Sequence, residues 1–243
     1  RSLIIQKYID YPFLYQRRKF DLRCYLLLTN YNGILKGYWF DEGYIRTSSR
    51  EFTLKHLDNR IIHLTNDAVQ KRSDEYGKFE SSNKISMADF QKYLDSEHAA
   101  DKYSVADVFR RMKLIATDIV RSVEHLLSPN NRQCCFELFG LDFMIDSKFR
   151  PLLIEANSNP CLEVSGSVLG RLIPSLVENV LRLAVDPLFP PPDNLVRNSK
   201  KLGTLTTLES NKFELIFDQQ FESAPAAALT FSTRLLSQPD IEE

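Results

Sequence analysis

No stretch of this sequence approaches the ~20 consecutive apolar residues that a membrane-spanning helix needs, so no membrane partner is expected. The opening Arg1-Ser-Leu-Ile-Ile-Gln-Lys7 lacks the apolar core and cleavage site of a signal peptide. Cysteine is sparse. Cys24, Cys134, Cys135 and Cys161 are the four present, and no two form a C-x-x-C pair. That pattern suits a reduced, intracellular protein with buried thiols, Cys134 and Cys135 pointing to opposite faces of a strand. Charge of one sign is also missing: 31 Lys and Arg against 32 Asp and Glu leave a net −1, so no global attraction to nucleic acid is expected. There is no internal repeat and no G-x-x-x-x-G-K-[S/T] phosphate loop. What remains is ordinary for a soluble globular chain, 43% hydrophobic and 26% charged.

The most informative stretch runs from residue 137 to residue 157. It reads as two apolar strands around a polar turn, Ser147-Lys-Phe-Arg150, with Asp146 and Pro151 flanking it. Counting outward pairs Ile145 with Leu152 and Asp142 with Glu155. Directly opposed residues of an antiparallel pair share a face roughly 5 Å apart, where like charges repel. Two such carboxylates want a cation between them or one shared proton. Asn157, two residues past Glu155, returns to the same face. Two carboxylates and an amide oxygen are hard donors that suit Mg²⁺. The plainer alternative is a solvated sheet face with a Lys or Arg near each acid.

Upstream, residues 3–9 form a short β-type run that Asp10-Tyr-Pro12 terminates. Residues 17–29 alternate, with Lys19, Asp21 and Arg23 on one face and Phe20, Leu22 and Cys24 on the other. A row of cation, anion and cation beside a buried face is a surface ion-pair ladder or the wall of an anion site. Asn32-Gly33 predicts a type I′ hairpin, and its returning strand reaches Trp39-Phe40. Arg46 follows near a hydroxyl-rich bend, so the N-terminal third is antiparallel sheet. Residues 1–72 hold thirteen Lys and Arg against seven Asp and Glu, a bias that attracts phosphate or an acidic peptide.

His63-Leu-Thr-Asn66 ends in polar side chains, and residues 70–84 read as a long surface loop. Ser86 and Ser104 open two helices, the second carrying an apolar stripe from Val105 to Val123 and stopping at Ser128-Pro129. A last helix is expected to begin near Pro174. Two regions result: residues 1–192, and residues 193–243 as a linker with a weakly ordered tail that contains one β-type run at 213–217.

Gln6-Lys-Tyr-Ile9, Arg18-Lys-Phe-Asp-Leu-Arg23, Tyr44-Ile-Arg-Thr-Ser48, His63-Leu-Thr-Asn66, Gln70-Lys71 with Tyr76-Gly-Lys-Phe-Glu80, residues 138–146 and Leu153-Ile-Glu-Ala-Asn157 occur in that order. Together, over roughly residues 3–190, they resemble the tubulin–tyrosine ligase family with its polyglutamylase and polyglycylase relatives. The resemblance implies an ATP-grasp fold of the mixed α/β (α+β) class. Residues 1–192 would be its C-terminal portion, an antiparallel sheet flanked by helices, with the N-terminal lobe and its phosphate-binding loop and lysines absent from this sequence.

It further implies roles. Gln6, Lys7, Tyr8 and Ile9 would be the hinge along the adenine of ATP. Lys19 and Asp21 would contact the nucleotide, Thr65 and Asn66 would line its pocket, and Arg23 and Arg46 would sit where charge develops in phosphoryl transfer. Asp142, Glu155 and Asn157 would hold Mg²⁺. The activity implied is an ATP-dependent carboxylate–amine ligase working through an acyl phosphate, in the cytoplasm on the cytoskeleton, with cilium and basal body as candidate sites. Its partners would be the acidic tubulin tail and a free amino acid. Residues 70–84 are similar to the tyrosine ligase's own segment, which favours tyrosine over glutamate or glycine. A non-catalytic tubulin- or nucleotide-binding protein, and an ATP-grasp ligase acting on a small carboxylic acid, are the alternatives.

Overall fold

Alternation of apolar and charged residues makes Arg18–Tyr31 the long central strand β1. The structure is a computed structural model that describes residues 3, 5–127, 134–192 and 211–222. The Asn32-Gly33 turn, with φ of 51° and 82°, returns the chain as β2, Ile34–Phe40. β3, Tyr44–Glu51, then continues along the same edge of β1. β2 faces residues 26–31 and β3 faces residues 18–23. At the junction Gly43 lies so close to β1 that a Cβ would stand 2.7 Å from the Arg23 carbonyl oxygen. Gly43→Ala is therefore expected to cost ~1–3 kcal/mol, as overpacking does, read as a lower urea midpoint at unchanged slope.

The other edge of β1 pairs with β5, Cys134–Ile145, which pairs in turn with β6, Pro151–Asn157. β4, Lys84–Ser86, lies outside β3, and β7, Phe213–Asp218, lies outside β2. All pairings among these seven strands are antiparallel.

The two faces of β1 are covered differently. Phe20, Leu22, Cys24, Leu26 and Leu28 pack under α3, Met87–Glu97, and α4, Val105–Val123. Both helices start as expected, Ser86 and Ser104 accepting from the backbone N–H of Asp89 and Asp107. Between β3 and β4 lie two single-turn helices, α1 (Arg60–His63) and α2 (Asp67–Gln70). On the opposite face Tyr25 and Leu27 pack beneath α5, Gly166–Ala184. Lys19, Asp21 and Arg23 share that second face, in the half of it that the α5 core cluster does not include.

Several expectations are corrected. Residues 5–9, with Leu3, form no strand, because no described strand lies beside them to complete a ladder. α5 begins at Gly166, and Pro174 sits inside it. Its apolar stripe, Leu169, Leu172, Ile173 and Leu176, holds the helix against the sheet on both sides of that proline. Ile145 faces Pro151, not Leu152; the register then shifts by one before Asp142 meets Glu155. Of the four thiols only Cys24 is buried. The run assigned to the tail is the edge strand β7, with Phe217 in the core and Asp218 bound to Lys36 at 2.9 Å. The Ser128-Pro129 stop and most of residues 193–243 lie outside the described residues.

Candidate functional site

Register alone assembles a charged row across the sheet. Tyr44 of β3 faces Arg23 of β1, Arg23 faces Asp142 of β5, and Asp142 faces Glu155 of β6. One step along, Asp21 faces Arg46. Strands lie roughly 5 Å apart, so neighbouring side chains of the row touch. Arg23 donates from Nε to Asp142 Oδ1 at 2.5 Å and from Nη2 to Oδ2 at 3.2 Å. Arg46 grips Asp21 through Nε at 2.7 Å and through Nη2, which also reaches Asp142 Oδ2 at 2.8 Å. Both guanidiniums thus spend Nε and Nη2 on carboxylates and keep Nη1 outside these bonds. Such forked pairs fix orientation as well as charge.

Asp142 is the hub, with its side chain 7% exposed. Burial would raise its carboxyl, but the hydrogen bonds and charges of Arg23 and Arg46 outweigh burial and hold it below the usual carboxylate range. Burial disfavours the charge of Arg46 too, yet Asp21 and Asp142 push its pKa further up. Glu155 differs. It is exposed, and among the described residues its side chain bonds only Asn157, whose Nδ2 donates to it at 3.1 Å and to Asp142 at 3.4 Å. A half-turn of that amide would present oxygen instead of N–H. Asp142, Glu155 and Asn157 therefore converge as expected. Two carboxylates, one without a cation, plus a reversible amide match the oxygen donor set of Mg²⁺. Among the described residues no group of three or more His, Cys, Asp or Glu offers a competing metal site.

At the other end of the face stands Lys19, its ammonium pKa lowered by burial and partly restored by Asp21. Its Nζ lies 3.2 Å from Tyr8 Oη and 4.7 Å above the Tyr8 ring centre. Tyr8 Oη also meets His63 Nδ1 at 2.7 Å, while His63 Nε2 meets the His56 carbonyl at 3.0 Å. With Nε2 donating to that carbonyl, Nδ1 of His63 is left as the acceptor for the Tyr8 hydroxyl. Of the four hinge candidates only Tyr8 is bonded into this face. Gln6 and Lys7 are exposed and Ile9 is half-buried. Thr65 is half-buried; Asn66 caps α2 through its backbone carbonyl, which accepts from Val69 and Gln70, and not through its side chain.

The polar run 70–84 is a loop, but a pinned one. Gln70 is fully buried, accepts from Ser49 N at 2.7 Å and donates to the Ile61 carbonyl at 2.9 Å. Asn83 donates to the Thr47 carbonyl at 3.1 Å. Glu80 receives both Nη atoms of Arg18 and the hydroxyl of Thr47, with Phe79 stacked 4.5 Å from the guanidinium carbon. Asp67 collects Lys84 at 2.8 Å, Tyr76 at 2.7 Å and Lys71 at 2.9 Å. Sequence reasoning gave Arg18, Glu80 and Asp67 no role, although Arg18 and Glu80 both lie in quoted motifs. A separate 660 Å³ cavity beside Trp39, Met87 and Phe109 lies on the α3/α4 face and is lined by none of the expected site residues.

The antiparallel sheet of this mixed α/β chain thus carries paired arginines and opposed carboxylates on one face. The Tubulin-tyrosine ligase family matches residues 1–193. This chain is 33% identical over 91% of its length to "Probable alpha-tubulin polyglutamylase Ttll1" of Tetrahymena thermophila, covering 52% of that protein. It is 35% identical over 75% of its length to "Probable tubulin polyglutamylase TTLL9" of Bos taurus, covering 38% of it. With "Tubulin glycylase 3B" of Drosophila melanogaster the identity is 36% over 76% of the chain and 25% of the relative. The chain belongs to the tubulin-tyrosine ligase family. It spans about half or less of the length of these relatives. Among the described residues no helix is long and apolar enough to cross a membrane.

Proposed function

We propose that this face binds Mg-ATP and that the protein joins an amino acid to a glutamate carboxylate on the acidic tubulin tail. One observation carries the reading: Glu155 stands opposite Asp142 without a cation of its own, while Arg23 and Arg46 already neutralise Asp142. Asp142, Glu155 and Asn157 would hold Mg²⁺, which when bound offsets phosphate charge and orients the transferring group. The remaining work falls to the chain's own side chains. Lys19, held by Tyr8, is a compact cation beside Asp21 for phosphate. The Nη1 donors of Arg23 and Arg46, left outside the carboxylate pairs that fix the two guanidiniums, would meet the charge that grows on the transferred phosphoryl group.

In the first half-reaction an oxygen of the tail carboxylate attacks the γ-phosphorus and ADP leaves. In the second, the amino acid's amine attacks the acyl carbon, phosphate departs with that oxygen, and the amine gives up a proton. The relatives' names support tubulin as acceptor and favour glutamate or glycine as the added amino acid over the tyrosine that residues 70–84 suggested. The setting would be the microtubule cytoskeleton in the cytoplasm.

The test incubates this chain, and a version extended upstream to the length of its relatives, with tubulin, Mg-ATP and separately labelled glutamate, glycine and tyrosine. ATP-dependent label on tubulin, lost in Glu155→Gln, is the expected result. Tubulin binding without incorporation by either version would replace this reading with a non-catalytic tubulin-binding role. Label on a small carboxylic acid but never on tubulin would replace the acceptor.

A further inference from the structure

β5 outruns its neighbour. Residues 134–143 pair with β1 on one edge, but on the other edge β6 accompanies β5 only from Ile145 to Gly140. Among the described residues nothing pairs with the outer edge of residues 134–139. Cys134, Cys135, Phe136 and Glu137 are exposed there. At ~3.3 Å per residue this is a ledge of about 20 Å of backbone donors and acceptors. Soluble proteins usually guard such an edge with lysine, proline or a bulge. This one reads Cys-Cys-Phe-Glu-Leu-Phe, with one charge, and its register with β1 is unbroken.

The ledge begins where the site ends. Asn157 closes β6 opposite Gly140, and the chain then leaves the sheet. A strand laid along residues 134–139 would lie in line with β6, its near end abutting Asn157, two residues from Glu155. Arg23 also crosses the strand here: a Cβ on Gly140 would stand 3.1 Å from Arg23 Nη1. Six residues paired with six bury far less than the ~1,200 Å² of a stable dimer, so a second copy is a poor occupant. A single extended peptide, held briefly through its backbone, fits the ledge. Backbone pairing also leaves the peptide's acidic side chains free to react.

We infer that the acceptor tail binds as an added β-strand on the open edge of residues 134–139, which delivers its carboxylate to the face of Arg23, Asp142, Glu155 and Asn157. This rests on the ligase reading for its chemistry, but not for its binding.

The experiment follows amide hydrogen exchange of the full chain with and without a glutamate-rich tubulin-tail peptide. Alternate amides of residues 134–139 are expected to slow at least tenfold. Successive N–H groups point to opposite edges of a strand, so one of Phe136→Pro and Glu137→Pro removes an outward N–H and spares the β1 ladder. That variant, recognised by its unchanged melting temperature, should bind the peptide at least tenfold more weakly with Mg-ATP affinity unaltered. Unprotected amides in the wild type, or full peptide affinity in that variant, would overturn the edge assignment even if ligation proceeds. Protection at residues 134–139 without nucleotide affinity or label incorporation would sink the ligase reading and leave the edge standing.

Discussion

Asp142→Ala is expected to lower stability by ~3–5 kcal/mol, the cost of stripping the partner from buried charge, and to reduce ligation by roughly a thousandfold or more. Both losses have one origin. Arg23 and Arg46 converge on this carboxylate, and its removal leaves two buried guanidiniums repelling each other. Asp142→Asn separates the effects, because it keeps shape and a hydrogen-bond acceptor while removing the charge. The pH dependence gives the sign. The folded carboxyl sits below the usual value, so its contribution is fully present above the unfolded pKa of ~3.9 and is lost as pH falls through the folded pKa. Acid unfolding of the wild type should therefore steepen below about pH 4, and Asp142→Asn should flatten that slope. Asp67, Asp89 and Asp146, also held low, contribute to the slope that remains. Denaturant unfolding across pH 2–6, read beside label incorporation, measures both halves.

Arg46→Lys is expected to cost about 10²–10³ in turnover with a smaller loss of stability than Asp142→Ala. Charge is conserved, but a single ammonium cannot grip Asp21 through two atoms, reach Asp142 and still offer a donor to a ligand anion. Arg46→Met should add the cost of leaving Asp21 without its cation. Turnover that falls with little change in substrate KM would mark Arg46 as acting on charge formed during reaction. A rise in KM alone would mark it as a ground-state phosphate contact.

Local chemistry made much of this legible. Alternation in residues 19–24 sorted the two faces of β1 correctly, Asn32-Gly33 fixed the first hairpin, and Ser86 and Ser104 marked two helix starts. The opposition of Asp142 and Glu155 was right for an incomplete reason. The turn sets a register one residue away, and a bulge near Ile154 restores the counted pairing. What stayed hidden depends on contacts distant in sequence. No local pattern says that β7 will close the sheet beside β2, or that Glu80 will reach 62 residues back to Arg18. Gln70 and Asn83 looked like loop residues because polarity is read as exposure, yet buried amides satisfy the backbone of β3 and the Ile61 turn. Pro174 misled because a rule about first turns was applied where an apolar stripe on either side decides.

The claim that the opposed carboxylates form a magnesium-nucleotide site is tested most directly by titrating ATP into wild type and Glu155→Gln, with and without Mg²⁺. Glu155 is exposed, so its amide variant should fold as the wild type does. The account predicts wild-type affinity that rises at least about tenfold with Mg²⁺ and a variant that loses most of that gain, with equal affinities in the absence of the metal. Identical Mg-ATP affinity in the two proteins would contradict it; Asp142 would then be the buried partner of Arg23 and Arg46, and Glu155 a solvated carboxylate, on an otherwise structural sheet face.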